Sequence, residues 1–194
     1  TVQFTVPVWP GTRPFEQLPF QWSCHVEPSF AMLEHAAFLD TSGEPPMRAA
    51  AESLLAALGD RGPIFVYTDF EKWRLVELAT RFPDLAGSID GVTGRLVDLF
   101  RLARQHYAHP ALNGSYSLKT VLPTVDPDLA HADLDEIRDG LSAQAAYHEA
   151  IAAGTTVERR EGLRGALLDY CALDTLALVR LAHHLERRPR AAPS

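Results

Sequence analysis

Pro63-Ile-Phe-Val-Tyr-Thr-Asp-Phe-Glu71 is a short apolar run set between turn residues and followed at once by a helical pattern. Ile64, Phe65 and Val66 show no polar alternation, which predicts a strand buried on both faces, as in a parallel pair. Asp69 stands where a helix N-cap is expected, and Glu71 falls in the first turn, where the helix dipole favours an acid. Phe70, Trp73, Val76, Ala79 and Phe82 form the expected apolar stripe of that helix, and Pro83 stops it. Residues 96–99 repeat the strand pattern and carry Asp98 near their end. Strand, helix, strand in that order predicts a parallel pair joined by a crossover.

Working outward, residues 2–6 alternate weakly and predict a strand that Pro7 ends. Residues 20–26 predict a second strand, with Phe20, Trp22, Cys24 and Val26 on one face and Gln21, Ser23 and His25 on the other. Residues 30–39 read as a third, although their Ala and Leu content suits a helix as well. Pro45 and Pro46 open a helix through Leu58, with Ala51, Leu54, Leu55 and Leu58 on its buried side. Beyond the second buried run come a turn over 113–119 and a short element through Leu122, before Pro123. Helices follow over 139–153 and 160–185. The last carries Leu163, Leu167, Cys171, Leu178, Leu181 and Leu185 at amphipathic spacings. The expected class is α/β: a mixed sheet, antiparallel strands first and parallel strands after, with helices on both faces. Residues 1–186 are expected to form one domain, and the Pro-, Ala- and Arg-rich residues 187–194 a disordered tail.

With 194 residues, 46% hydrophobic and 22% charged, the composition is that of a soluble globular domain able to bury a sizeable core. No run approaches the roughly 20 apolar residues that span a bilayer, and no signal peptide opens the sequence. Cys24 and Cys171 lie far apart without metal-type pairing, so a reduced, cytoplasmic protein with no membrane partner is expected. His106-x-x-His109 has no cysteine beside it and precedes Pro110, which argues against structural zinc. The net charge of −7 excludes a broad DNA-coating surface, but it leaves room for an acidic metal site beside a local basic patch. Lys72 and Lys119 are the only lysines.

Tyr170 and Asp174 fall one helical turn apart on the last helix. A carboxylate on the edge of an apolar stripe is costly to desolvate without a cation or hydrogen bonds. That leaves two readings open: an arginine partner or a tilt toward water, and a bound metal. Glu71 and Asp98 both follow buried strands, where open α/β sheets build their ligand crevice. For Glu71 the plain alternative is a first-turn acid favoured by the helix dipole. Asp98 has a capping role open to it, and Lys119 that of a solvated lysine. Hard divalent cations such as Mg²⁺ or Mn²⁺ take Asp, Glu and water together.

Tyr170-x-x-x-Asp174 resembles the third motif of the DEDDy branch of 3′–5′ exonucleases, whose fold is ribonuclease-H-like. Tyr67-Thr-Asp-Phe-Glu71 resembles their second motif, with Glu where that motif ends in Asp, the same charge on a longer arm. Leu18-Pro-Phe-Gln-Trp-Ser-Cys-His25, Val66-Tyr-Thr-Asp-Phe-Glu-Lys72, Val97-Asp-Leu99, Gly114-Ser-Tyr-Ser-Leu-Lys-Thr-Val-Leu-Pro123 and Tyr170-Cys-Ala-Leu-Asp-Thr175 make nearly the whole chain resemble a bacterial domain of unknown function, number 2779. Members of that family look like exonuclease-type domains and often follow a RecB-like nuclease region.

The resemblance implies a Mg²⁺- or Mn²⁺-dependent exonuclease-like domain acting on single-stranded nucleic acid. In it Glu71 and Asp174 are metal ligands, Tyr170 positions the attacking water, and Asp98 and Asp69 are supporting carboxylates behind them. Ser115, Ser117 and Lys119 are the expected contacts to phosphate or strand. Trp73 and Tyr116 offer rings for stacking, although Trp73 lies on the apolar stripe and is read as core. The exonuclease pattern opens with Asp-x-Glu on its first strand, and no such motif lies upstream of Gln21. The expectation is therefore a fragment of a longer protein, inactive or nearly so by itself. Two other readings stay open: a non-catalytic nucleic-acid-binding module that kept the fold, and a docking domain for an adjacent RecB-like region using the helix at 139–153.

Overall fold

A computed structural model describes residues 1–29, 32–130, 137 and 139–186. The expected tail at 187–194 and the first residues of the expected third strand, Phe30 and Ala31, lie outside the described residues.

The class is α/β, with the antiparallel strands first and the parallel strands after. Strands β1 (Gln21–Ser29) and β2 (Met32–Leu39) pair antiparallel, Gln21 opposite Leu39 and His25 opposite His35. The alternation read from the sequence fixes what each face meets. Phe20 stacks on Tyr147, ring centroids 3.8 Å apart, and the Trp22 indole donates to Ser53 Oγ at 3.0 Å on α1 (Met47–Leu58). The opposite face is polar and bonds to the long last helix, α8 (Val157–Glu186). There Gln21 Nε2 donates to Leu167 O at 2.6 Å, while Ser23 Oγ and His25 Nδ1 meet Thr175 Oγ1 at 3.0 and 2.9 Å. The hairpin thus has a helix on each side.

Residues 2–6 form an isolated bridge between Val2 and Leu18 in place of a strand. Their backbone bonds go elsewhere: Gln3 N donates to Gln144 Oε1, and Phe4 O accepts from Phe15 N. Val2 and Phe4 are buried regardless, whereas Val6 is exposed.

Strands β3 (Ile64–Val66) and β4 (Leu96–Asp98) pair in parallel, Val66 opposite Asp98. Their crossover consists of α2 (Phe70–Arg81), a 3₁₀ turn (Pro83–Leu85) and α3 (Ala86–Thr93). Where one mixed sheet is expected from the sequence, hydrogen bonding among the described residues makes two separate two-stranded sheets. After β4 come α4 (Leu99–His106), α5 (Leu118–Val125), α6 (Pro127–Ala130) and α7 (Gly140–Ile151). Pro123 lies inside α5, so the element expected to end before it continues past it.

The expected stripe of α2 holds only at its end, where Ala79 and Phe82 pack on the core. Phe70, Trp73 and Val76 are 47%, 58% and 41% exposed, and the helix buries Leu75 and Leu78 instead. Steps of three residues slip by about 60° around a helix of 3.6 residues per turn, so a chain of threes spirals off any one face. The core-facing row runs through Glu71, Leu75, Leu78 and Phe82, at spacings of four and three, and it begins with an acid.

The buried side chains form two clusters. One gathers Val2, Leu18, Phe20, Met47, Leu75, Ile89, Tyr147, Leu163 and Leu167; the other Leu99, Tyr107, Leu112, Val121, Leu181 and Ala182. Helix α8, about 45 Å long at 1.5 Å per residue, runs through both. Tyr170 packs on the first and Leu178 on the second, so Asp174 lies at the seam. No described helix is long and apolar enough to cross a membrane.

Candidate functional site

Glu71 reaches this seam because it heads the core-facing row of α2. The turn that delivers it from β3 is strained: Thr68, a β-branched residue, has φ +75°. Asp98 holds that turn in place. Its Oδ1 accepts from Thr68 N at 3.0 Å and from Phe100 N at 2.9 Å, capping α4, and its Oδ2 meets Arg101 Nε at 3.2 Å. Asp98 is thus a clasp between the ends of the two parallel strands, with both oxygens engaged. Asp69 occupies the N-cap position of α2, yet its side chain caps nothing and instead meets Arg101 Nη2 at 3.2 Å.

Protein packed around the Glu71 carboxyl pushes its pKa up to about 7, and the nearby charges of Asp98 and Asp174 push the same way. The residue as a whole remains exposed, so water still reaches one side of it. Burial likewise raises Asp174, opposed by a hydrogen bond from Tyr170 and by the Lys119 charge. Tyr170 is pushed well above the ordinary phenol range by burial and then by Asp174, which keeps its proton on the hydroxyl that bonds the carboxylate. Cys171 is pushed up to about 12, by burial and then by Asp174, so its thiol stays protonated beside the acids. Glu71 from α2, Tyr170 and Asp174 from α8 and Lys119 from α5 therefore share one neighbourhood. Neither Glu71 nor Asp174 forms an ion pair with an arginine among the described residues.

The loop residues before α5 are brought near but are committed to local bonds. Ser117 Oγ caps α5, accepting from Thr120 N, and meets Thr120 Oγ1 at 2.7 Å. Ser115 Oγ meets the same Thr120 Oγ1 at 3.2 Å. Tyr116 is half-buried in the second cluster; its hydroxyl donates to Tyr107 O at 2.9 Å and its carbonyl accepts from the Tyr67 hydroxyl. Tyr116 is therefore tied at both its hydroxyl and its carbonyl to the second cluster. Lys119 is exposed and acts on both Asp174 and Asp139.

Asp139 went unnoticed as a site residue because the sequence marks it only as a helix start. It closes a capping box with Ser142 at the head of α7, and its charge also reaches Tyr170. The spacing Asp-x-x-Ser signals the cap; nothing in it signals the proximity to α8.

The donor chemistry suits a hard divalent cation, since Glu71 and Asp174 supply two carboxylates and Mg²⁺ commonly takes one or two with water and phosphate completing its shell. No group of three His, Cys, Asp or Glu side chains arranged to hold a metal occurs among the described residues. A cavity of about 180 Å³ opens elsewhere on α8, lined by Val125, Asp126, Arg180, His183 and His184. Its charges are already matched, Arg180 with Asp126 and His183 with Glu27.

The arrangement is that of an α/β domain with an acidic site at a helix–strand junction. The family described as a domain of unknown function, DUF2779, matches residues 1–117, and the chain belongs to it. That match takes in Glu71, Asp98 and the loop up to the N-cap of α5, and ends ahead of Lys119, Tyr170 and Asp174, so it covers less of the chain than the quoted motifs do. No curated protein and no solved structure matches the chain.

Proposed function

We propose that the chain is an exonuclease-like domain of ribonuclease-H-like fold that acts on nucleic acid with Mg²⁺ or Mn²⁺ held by Glu71 and Asp174. One observation carries the proposal: two carboxylates from distant helices act on one partly desolvated neighbourhood, neither ion-paired with an arginine among the described residues, and each is raised by burial. Such crowding is unfavourable by itself and becomes favourable when a cation is shared.

The chemistry such an ion supplies when bound is a lowered pKa for water and charge stabilisation at the leaving oxygen. The chain's own residues do the rest. Tyr170, kept protonated, donates to Asp174 and can turn its hydroxyl to orient the attacking water. Lys119 offsets the negative charge of an incoming phosphate. Asp98 keeps the β3–α2 turn, and so Glu71, in position. With two of the four carboxylates of the exonuclease pattern present in this sequence, the chain alone binds the ion weakly.

Calorimetric titration with Mn²⁺ tests the proposal. Binding should be measurable in the wild type and at least tenfold weaker in Asp174→Asn. Binding that is equal in both removes Asp174 as a ligand and the proposal with it.

A further inference from the structure

Thr175 follows Asp174 on α8 and turns its side chain to the hairpin. Its hydroxyl lies 3.1 Å from Ala172 O and 3.3 Å from Cys171 O, and it donates to these carbonyls of its own helix. The same oxygen meets Ser23 Oγ at 3.0 Å and His25 Nδ1 at 2.9 Å, both from β1. Ser23 Oγ in turn meets His35 Nε2 of β2 at 2.8 Å. A hydroxyl has one proton to give and two lone pairs to offer. With the Thr175 proton spent on the helix, only one arrangement serves every pair. His35 donates to Ser23, Ser23 donates to Thr175, and His25 donates to Thr175 as well. Bonds from both strands of the hairpin thus converge on one oxygen of α8.

We infer that Thr175 is a positioning residue for Asp174: tied to both strands of the hairpin, it fixes the rotation of α8 at the seam and with it the direction of the neighbouring carboxylate. This rests on the function proposed above for the ion that the carboxylate shares with Glu71, and it makes the hairpin the part of the fold that governs the site.

Apolar packing leaves this rotation loose. Leu163 and Leu167 are buried on one side of the seam, and Ala177, Leu181 and Ala182 on the other. From Leu168 to Leu176, about two and a half turns, every side chain of α8 keeps some exposure to solvent. Helical dihedrals scatter by about 15–20°, and a threonine that bonds back to its own helix tends to bend it. An Asp carboxylate stands about 5 Å from the helix axis, so a rotation of about 10° carries it about 1 Å. A metal-binding constellation tolerates about 0.5 Å. Tyr170 does not supply the missing constraint, because its bond to Asp174 lies within α8 and turns with it. The hairpin does. Gln21 Nε2 donates to Leu167 O at 2.6 Å, about two turns before Thr175, and Glu27 Oε2 meets His183 Nε2 at 2.8 Å, about two turns after it. Thr175 is the middle of these three polar ties, and the one beside the acid.

Calorimetric titration of the full chain with Mn²⁺ tests the tie, using Thr175→Val to keep the branched shape without the hydroxyl. Mn²⁺ should bind about tenfold more weakly to Thr175→Val and within about twofold of wild type to Thr175→Ser, which keeps the hydroxyl. Ser23→Ala should weaken binding in the same direction, and combining it with Thr175→Val should add little, as expected for two members of one chain of bonds. Circular dichroism at the titration temperature verifies that each variant is folded; where Thr175→Val is not, Ser23→Ala carries the test. Residual dipolar couplings of the α8 amides, measured in EDTA, read the rotation without any metal. Their phase should shift in Thr175→Val and match wild type in Thr175→Ser. Equal Mn²⁺ affinity in folded Thr175→Val, a loss in Thr175→Ser as large as in Thr175→Val, or unshifted couplings would each overturn the positioning role. A phase shift in a chain that binds no Mn²⁺ in any form keeps the tie and removes the metal site. Mn²⁺ binding that needs Asp174 but ignores Thr175 removes the tie alone.

Discussion

Replacing Glu71 by glutamine removes a charge that the fold holds at a disadvantage, and the size and pH dependence of the effect follow from its surroundings. The carboxyl is pushed up from 4.5 to about 7, first by burial and then by Asp98 and Asp174, with its own backbone N–H opposing. The folded chain therefore holds this proton more tightly than the unfolded chain does. The associated stability is complete below pH 4.5, is lost as the pH rises toward about 7, and stays lost above it. Were the carboxyl wholly out of water, that displacement would be worth about 3.4 kcal/mol. Glu71 is an exposed residue, so solvent screening cuts the figure to about 1–2 kcal/mol. Urea unfolding in EDTA should then show Glu71→Gln more stable than wild type by about 1–2 kcal/mol at pH 8 and by less than about 0.5 kcal/mol at pH 5. Adding Mn²⁺ should stabilise the wild type and leave the variant nearly unmoved, since ligation favours the charged form only where there is a charge. A variant no more stable than wild type at pH 8 would refute the reasoning, because it would mean the carboxylate is satisfied rather than strained.

Other substitutions probe the supporting structure. Tyr147→Phe should be neutral or stabilising by about 1 kcal/mol in urea unfolding, because the buried Tyr147 hydroxyl finds no hydrogen-bond partner among the described residues. Asp98→Ala should lower stability by about 1–3 kcal/mol, measured the same way, through loss of the α4 cap and of the bond to Thr68; it should also weaken Mn²⁺ binding by letting Glu71 wander. Leu167→Ala, at a fully buried position where α8 meets the hairpin, should cost about 2–5 kcal/mol by cavity formation. Tyr170→Phe should fold normally but let Asp174 titrate at a higher pH, since the hydrogen bond that favours its charged form is gone; carboxyl chemical shifts across a pH series would report it.

The alternation of residues 20–26 was legible because a strand sorts its side chains with period two, and both faces found the partners that sorting implies. The buried run at 64–66 was legible for the opposite reason, its lack of alternation. The face of α2 was not. Phe70 and Trp73 attract attention as core material, yet they fall on a row of threes that winds around the helix and meets the core only at Ala79 and Phe82, and the helix buries Leu75 and Leu78. That error and the correct singling out of Glu71 are linked, because the rotation that exposes Trp73 turns Glu71 inward. Residues 2–6 show the limit of weak alternation, since burial of Val2 and Phe4 needs no ladder when a glutamine side chain can take the amide. The roles of Asp98 and Asp139 depend on which chain ends meet in space. The capping signals at those positions were readable, but the nearness of Asp98 to Glu71 and of Asp139 to Tyr170 was not.

The seam along α8 has a mechanical consequence. One rod is gripped by two separate packings, and the acids stand opposite each other where the grips meet, one on the rod and one on a helix anchored in a single packing. Any flexing of the rod at that point changes the gap between them. A divalent ion shared across the gap would act as a rivet, so amide exchange at Leu163–Leu167 and at Leu178–Leu181 should slow in step when Mn²⁺ is added, although these segments belong to different packings.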